Sequence, residues 1–174
     1  MIRRGDANDV PFLRDMLRHA YYWRWEEPEA AELPVYRYIA GWGRPGDRSL
    51  IAIDGFQPVG AAWYRLFRRE APGYGFVDEQ TPELTIAVVP SKRGRGLGEE
   101  LLSALLAQAR EDGFAAISLS VEPENPALRL YEKHGFGTIE RRAGFCVMRA
   151  ELGVVERDDD DDDRHDQDEE ADEE

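Results

Sequence analysis

The 174-residue chain is poor in cysteine, lysine and histidine, and it has no long apolar run. A single cysteine, Cys146, excludes an intrachain disulfide and reads as a core residue of a strand. No uninterrupted apolar stretch approaches the roughly 18 residues needed to cross a bilayer as a helix. The opening Met-Ile-Arg-Arg-Gly-Asp lacks the apolar run of a signal peptide, so a soluble, cytoplasmic protein is expected. His19, His134 and His165 lie far apart without companion cysteines, which argues against a metal site. His134 reads instead as the close of a helix, where partial positive charge is favourable. Lysine occurs only at Lys92 and Lys133, so the basic residues are nearly all arginine.

Negative charge, by contrast, is abundant but unevenly spread. The formal charge is −14, and from Glu156 onward there are fourteen acidic and two basic residues. The remainder is close to neutral. Residues 1–155 therefore read as one domain, long enough to bury a core. Residues 156–174, with six successive aspartates at Asp158 to Asp163, read as a disordered acidic tail. A near-neutral body offers no basic footprint for nucleic acid, and an acidic tail repels phosphates.

Periodicity divides the body into strands and helices. Ile2 to Arg4, Ser49 to Asp54, Pro58 to Phe67, Glu83 to Val89, Ala115 to Val121, Phe136 to Arg142 and Phe145 to Glu151 read as strands. Asp54-Gly55 and Gly144 supply hairpin turns. Val10, Leu13, Met16 and Leu17 share one face of a helix ending near Tyr21, with Asp6 and Asn8 as candidate caps. Leu101, Leu102, Leu105 and Ala109 form the stripe of a second helix, closed by Gly113. A short third helix spans Asn125 to His134. This order gives an α/β fold, a mixed sheet of about seven strands with helices on its faces. Between Tyr21 and Trp42 the chain is rich in aromatics, including Tyr22, Trp23, Trp25, Tyr36, Tyr38 and Trp42.

Most of the chemistry lies in the turn Arg93-Gly94-Arg95-Gly96-Leu97-Gly98, between a strand and a helix. Closely spaced glycines let successive N–H groups converge, and the helix N-terminus behind them favours an anion. Arg93 and Arg95 add positive charge, so the turn reads as a phosphate or pyrophosphate cradle. A nucleotide-triphosphate loop would end in Gly-Lys-Ser/Thr, whereas Gly98 is followed by Glu99-Glu100. A dinucleotide fingerprint would place glycine at position 99. Both that reading and a glycine turn without a ligand stay open on this segment alone.

A longer comparison favours another ligand. Ala87-Val88-Val89-Pro90-Ser91-Lys92-Arg93-Gly94-Arg95-Gly96-Leu97-Gly98, followed by Leu101-Leu102, resembles the central motif of the GNAT acetyltransferases. Leu119-Ser120-Val121, Asn125 and Ala127 to Phe136, with Tyr131-Glu132-Lys133-His134-Gly135-Phe136, resemble the family's next motif. The resemblance covers Glu83 to Phe136 and implies the GNAT acyl-CoA N-acyltransferase fold, with acetyl-CoA as co-substrate and an amine as acceptor.

It further implies a gap between two parallel strands, in which the backbone of Ile86, Ala87 and Val88 pairs with the pantetheine arm. The pyrophosphate would rest on the N–H groups of Gly94, Arg95, Gly96, Leu97, Gly98 and Glu99, with Arg93 opening the loop and Asn125 adding a side-chain contact. The amine would attack the thioester directly, with the Val88 N–H donating to the carbonyl oxygen. Tyr131 matches the family's general acid, and Glu83 its candidate base, acting directly or through water. As a plain residue, Glu83 reads as a solvated carboxylate at a strand end. Ser120 stands where many peptide α-amine acetyltransferases carry glutamate. The aromatic stretch and the acids Glu26, Glu27 and Glu29 fall on the acceptor side. The enzyme is expected as a monomer or homodimer; the competing expectation is a non-catalytic acyl-CoA-binding regulatory module.

Overall fold

The computed structural model describes residues 1–21 and 33–153. Tyr22, Trp23, Trp25, Glu26, Glu27, Glu29, His165 and the acidic segment 156–174 lie outside the described residues.

Seven strands form one sheet: β1 (Ile2–Arg4), β2 (Arg48–Asp54), β3 (Gln57–Arg65), β4 (Glu83–Val88), β5 (Ala116–Val121), β6 (Gly137–Arg142) and β7 (Phe145–Glu151), in the order β1-β2-β3-β4-β5-β7-β6. Three α-helices accompany them: α1 (Val10–Tyr21), α2 (Leu97–Glu111) and α3 (Ala127–Lys133). Strand β3 ends two residues earlier than periodicity suggests, and α3 starts two residues later, at Ala127.

Each helix forms where its sequence offers a start and an apolar face. Asp6 caps the 3-10 turn Ala7–Asp9 that leads into α1, accepting the Asn8 N–H at 2.8 Å while its own N–H donates to Asp9 Oδ2 at 2.8 Å. Asn8 therefore does not act as the cap. Leu13, Met16 and Leu17 then bury one face of α1 against Ile51, Ala61 and Trp63. Helix α2 buries Leu101, Leu102, Leu105, Leu106 and Ala109 against the opposite face of the sheet, and α3 joins it through Tyr131. Truncating a fully buried leucine such as Leu105 to alanine would cost about 2–5 kcal/mol. Cys146 sits buried on β7 opposite Val121, as its apolar surroundings suggested.

Strand alternation assigns side chains to these two cores. Leu84 and Ile86 of β4 belong with Ile117, Leu119 and Val121 of β5 on the α2 and α3 side. Glu83, Thr85 and Ala87 take the α1 side, register partners of Arg65, Trp63 and Ala61 on β3. The two faces thereby acquire different chemistry before any site is considered.

The neighbours β4 and β5 run parallel, and their pairing is recorded at one register position, Glu83 with Ser118. The Ser118 N–H donates to the Pro82 carbonyl at 2.9 Å. Beyond this point the strands diverge, while β5 keeps its full ladder with β7 from Ala116 to Val121. The sheet therefore opens in its middle, toward the C-terminal ends of β4 and β5.

Candidate active site

The opening leads into a cavity of about 780 Å³, a volume suited to a small organic ligand. On one side the exposed edge of β4 forms its wall. The Val89 N–H donates to the Val59 carbonyl at 2.8 Å, which sets the antiparallel alternation with β3. By that alternation the backbone groups of Ala87 point to β3, whereas those of Ile86 and Val88 face the gap. Ala87, expected among the pairing groups, therefore meets the cavity only by contact. The Val88 carbonyl accepts from Arg93 Nε at 3.2 Å, which closes the arginine back over the strand end.

The far wall is the glycine-rich turn and the first turn of α2. Gly94 and Gly96 adopt φ of +77° and +80°, and Gly96 is the N-cap residue of α2. An L-residue in that region costs about 1–2 kcal/mol. A Cβ added at either position would meet no atom within 4 Å, so conformation rather than crowding calls for glycine. Gly98 lines the wall inside the first helical turn, where N–H groups have no intrahelical acceptor. These free donors and the helix dipole make the turn favourable to an anion.

Its side chains are arranged consistently with that. Glu99 would oppose an anion, but its carboxylate turns to Lys133 Nζ at 2.6 Å and His134 Nε2 at 3.2 Å, and both hold its pKa below the ordinary range. His134 is also the C-cap residue of α3. Lys92 is committed to Asp54 at 2.7 Å. Arg93 lines the cavity, whereas Arg95, expected beside it, is not part of the wall. Asn125 lines the cavity too, but its Oδ1 accepts the Ala127 N–H at 2.9 Å and starts α3.

Tyr131 comes from α3 into the same space. Its ring packs edge-on to Phe136 at 5.8 Å, and burial alone pushes its phenol pKa up. The hydroxyl stays protonated at any physiological pH and makes no recorded hydrogen bond among the described residues. It is at once a core aromatic and a hydroxyl-bearing residue on the cavity wall.

Glu83 departs from the expectation of a solvated carboxylate. It is 1% exposed and does not line the cavity. Neither carboxylate oxygen closes a well-formed hydrogen bond with a described residue. Burial pushes its pKa up to about 8, while the Tyr38 hydroxyl, the Gly75 N–H and Arg142 pull the other way. The register partner Arg65 supplies no counter-charge, because its guanidinium is held by Asp47 at 2.8 and 3.0 Å.

Among the described residues, spacing alone did not reveal the cavity roles of His19, Tyr74, Thr85 and Phe145. Tyr21 was visible only as one aromatic among many. His19 faces Arg93, and burial followed by that positive charge lowers its pKa. Of the remaining aromatics, Trp42 lies beneath the Arg65 guanidinium at 5.3 Å, Tyr36 is half exposed, and Tyr38 is buried. No cluster of three metal-ligating side chains occurs among the described residues, and no helix there is long and apolar enough to cross a membrane.

Residues 10–136 match the profile of the Acetyltransferase (GNAT) family. The chain belongs to this family. Among GNAT relatives, mycothiol acetyltransferase of Rhodococcus jostii is 30% identical over 145 residues, covering 78% of this chain and 44% of that protein. Ribosomal-protein-alanine N-acetyltransferase of Brucella melitensis has the same fold, with TM-score 0.64 and 26% identity over 87% of this chain and 99% of that one. The yncA structure of Salmonella typhimurium, solved with its cofactor acetyl-CoA, shares the GNAT fold at TM-score 0.67 and 23% identity over 92% and 98% of the two chains. The chain spans at most about half the length of the curated relatives it matches.

Proposed function

We propose that this chain transfers an acetyl group from acetyl-CoA to a primary amine of a small molecule, peptide or protein. The parting of β4 from β5 after a single register position, beside a glycine-rich anion site, carries this reading. It leaves the Ile86 and Val88 edge free to pair with an extended amide chain such as pantetheine. The N–H groups from Gly94 to Glu99 lie where an attached pyrophosphate needs donors, with Arg93 on the wall and Arg95 adding longer-range positive charge. Asn125 keeps its amide NH₂ for a further contact. Relatives named for mycothiol and for a ribosomal-protein alanine support an amine acceptor.

Position supports each chemical role. The Val88 N–H faces the gap and stabilises negative charge on the thioester oxygen as the amine attacks. Tyr131, protonated and cavity-lining, gives its proton to the departing thiolate. Glu83, with a pKa near working pH, is the final acceptor of the amine proton. Residues 1–155 form the catalytic domain, and the acidic segment 156–174 acts as a solubilising extension. The protein works in the cytoplasm as a monomer or homodimer, which its single cysteine suits.

Calorimetry with acetyl-CoA, followed by thiol release across a panel of primary amines, tests this. Saturable binding and amine-dependent thiol release are expected. Binding without turnover on any amine would favour a non-catalytic acyl-CoA-binding regulatory module. Absence of binding would refute both.

A further inference from the structure

A base sealed from the cavity needs a path to it, and a row of hydroxyl groups lies between. Tyr38 stands beside Glu83. Its backbone is fixed from β3: Trp63 Nε1 donates to the Tyr38 carbonyl at 3.1 Å, and Arg65 Nη1 donates to the Arg37 and Ala40 carbonyls at 2.8 and 2.6 Å. Gly73 packs over the pair. A Cβ built there would fall 2.7 and 2.8 Å from the two Glu83 oxygens and 2.9 Å from the Tyr38 hydroxyl. The Tyr38 hydroxyl accepts the Tyr74 N–H at 2.8 Å, so its own proton is left to donate elsewhere, with Glu83 and the Tyr21 oxygen as the two acceptors it faces.

Tyr21, at the end of α1, continues the row. Its ring lies 5.2 Å from that of Tyr38, and its hydroxyl faces both Tyr38 and Ser120. Tyr21 and Ser120 line the cavity, whereas Tyr38 and Glu83 do not. The row therefore begins at the cavity wall and ends at an unpaired buried carboxylate.

We propose that Tyr21 and Tyr38 relay the acceptor amine's proton to Glu83, with Tyr21 as the group that meets the amine. This rests on Glu83 being the base. As the amine nitrogen bonds to the thioester carbon, its N–H bond breaks and that proton passes to the Tyr21 oxygen. The Tyr21 proton moves to the Tyr38 oxygen, and the Tyr38 proton moves to Glu83. Both tyrosines remain neutral throughout, and Glu83 ends as a carboxylic acid that later returns the proton to solvent. Burial keeps both phenols protonated, which suits a concerted shift without a phenolate. Of the other polar groups around Glu83, the Gly75 N–H faces it, Ser118 Oγ donates to the Gly75 carbonyl at 2.7 Å, Arg65 holds Asp47, and Arg142 holds Glu140 and the Tyr74 carbonyl.

The test measures kcat/KM from pH 6 to 10 for wild type, Tyr21→Phe, Tyr38→Phe and Glu83→Gln. An alanine-initiated hexapeptide and L-2,4-diaminobutyrate serve as acceptors. Acetyl-CoA affinity by calorimetry and a carbon-13 NMR titration of the Glu83 carboxyl accompany it. Expected are a wild-type limb with its midpoint near pH 8, levelling above about pH 9, and its loss in Glu83→Gln once the acceptor amine's own ionisation is divided out. Each tyrosine variant should lose about 100-fold in kcat, with KM and acetyl-CoA affinity within twofold of wild type. Removing the Tyr38 donor should also raise the Glu83 pKa. Tyrosine variants with wild-type kcat, alongside a Glu83→Gln variant lacking the limb, would overturn the relay and leave the base standing. A Glu83→Gln variant that keeps rate and limb would remove the base, and the relay with it. If neither acceptor turns over, the titration decides: an unchanged Glu83 in Tyr38→Phe overturns the relay.

Discussion

Replacing Glu83 with glutamine isolates the energetic consequence of burying a carboxyl without a counter-ion. The folded chain moves its pKa from an ordinary 4.5 to about 8, chiefly through burial. The unfolded chain gives up this proton near pH 4.5, and the folded chain holds it until about pH 8. Between those values the folded state carries one proton more than the unfolded state, so stability falls as pH rises. Each pH unit of displacement is worth about 1.4 kcal/mol, which puts the full penalty on the order of 5 kcal/mol above pH 8. Below pH 4.5 there is none. Urea denaturation of wild type and Glu83→Gln in steps from pH 5 to 9 reads this directly, because the other ionisations largely cancel in the difference. The glutamine variant should gain relative stability by about 1.4 kcal/mol per pH unit up to pH 8, and no more beyond it. Parallel stability curves for the two proteins would show that Glu83 titrates like a solvated carboxylate, and the burial argument would fail.

Three further outcomes are expected. Tyr131→Phe should lower kcat by about two orders of magnitude while leaving acetyl-CoA affinity unchanged, since only the proton donor is removed; turnover assays and calorimetry separate the two effects. Gly96→Asp should abolish acetyl-CoA binding by calorimetry, whereas Gly96→Ala should show only the ~1–2 kcal/mol strain of a side chain at φ +80°. Gly75→Ala should lower thermal stability by about 3 kcal/mol. Its Cβ would fall 2.6 Å from the Leu119 carbonyl carbon and 2.8 Å from the Ser120 nitrogen, backbone atoms that cannot turn aside.

The glycine-rich turn was legible in the sequence because its determinants are local. Strand end, two glycines at positive φ and the start of α2 all fall between Glu83 and Leu97, and short-range periodicity reports such segments well. The same holds for the α2 stripe and for Tyr131, whose helix follows within a few residues of β5. Ala87 shows the limit of that resolution. Its position in the motif is plain, but whether its N–H points to β3 or to the gap depends on register, which Val89 and Val59 set. Arg95 is similar: charge at the turn is visible, while the direction of a long side chain is not.

Glu83 was misread as plain sequence because its environment is assembled from five separate places. Arg65 is its neighbour in the sheet and the natural counter-ion, yet Asp47 lies 18 residues upstream of that arginine and captures it. The same guanidinium reaches the carbonyls of Arg37 and Ala40, so the contact that deprives Glu83 of a partner also fixes Tyr38 beside it. Gly73 and Gly75 bring the preceding loop close enough to exclude water, and Ser118 pins that loop to β5. A carboxyl left alone in such a place is unfavourable for folding. Asp47 therefore bears on the surroundings of Glu83 through Arg65, whose guanidinium it orients toward the Arg37 and Ala40 carbonyls on either side of Tyr38.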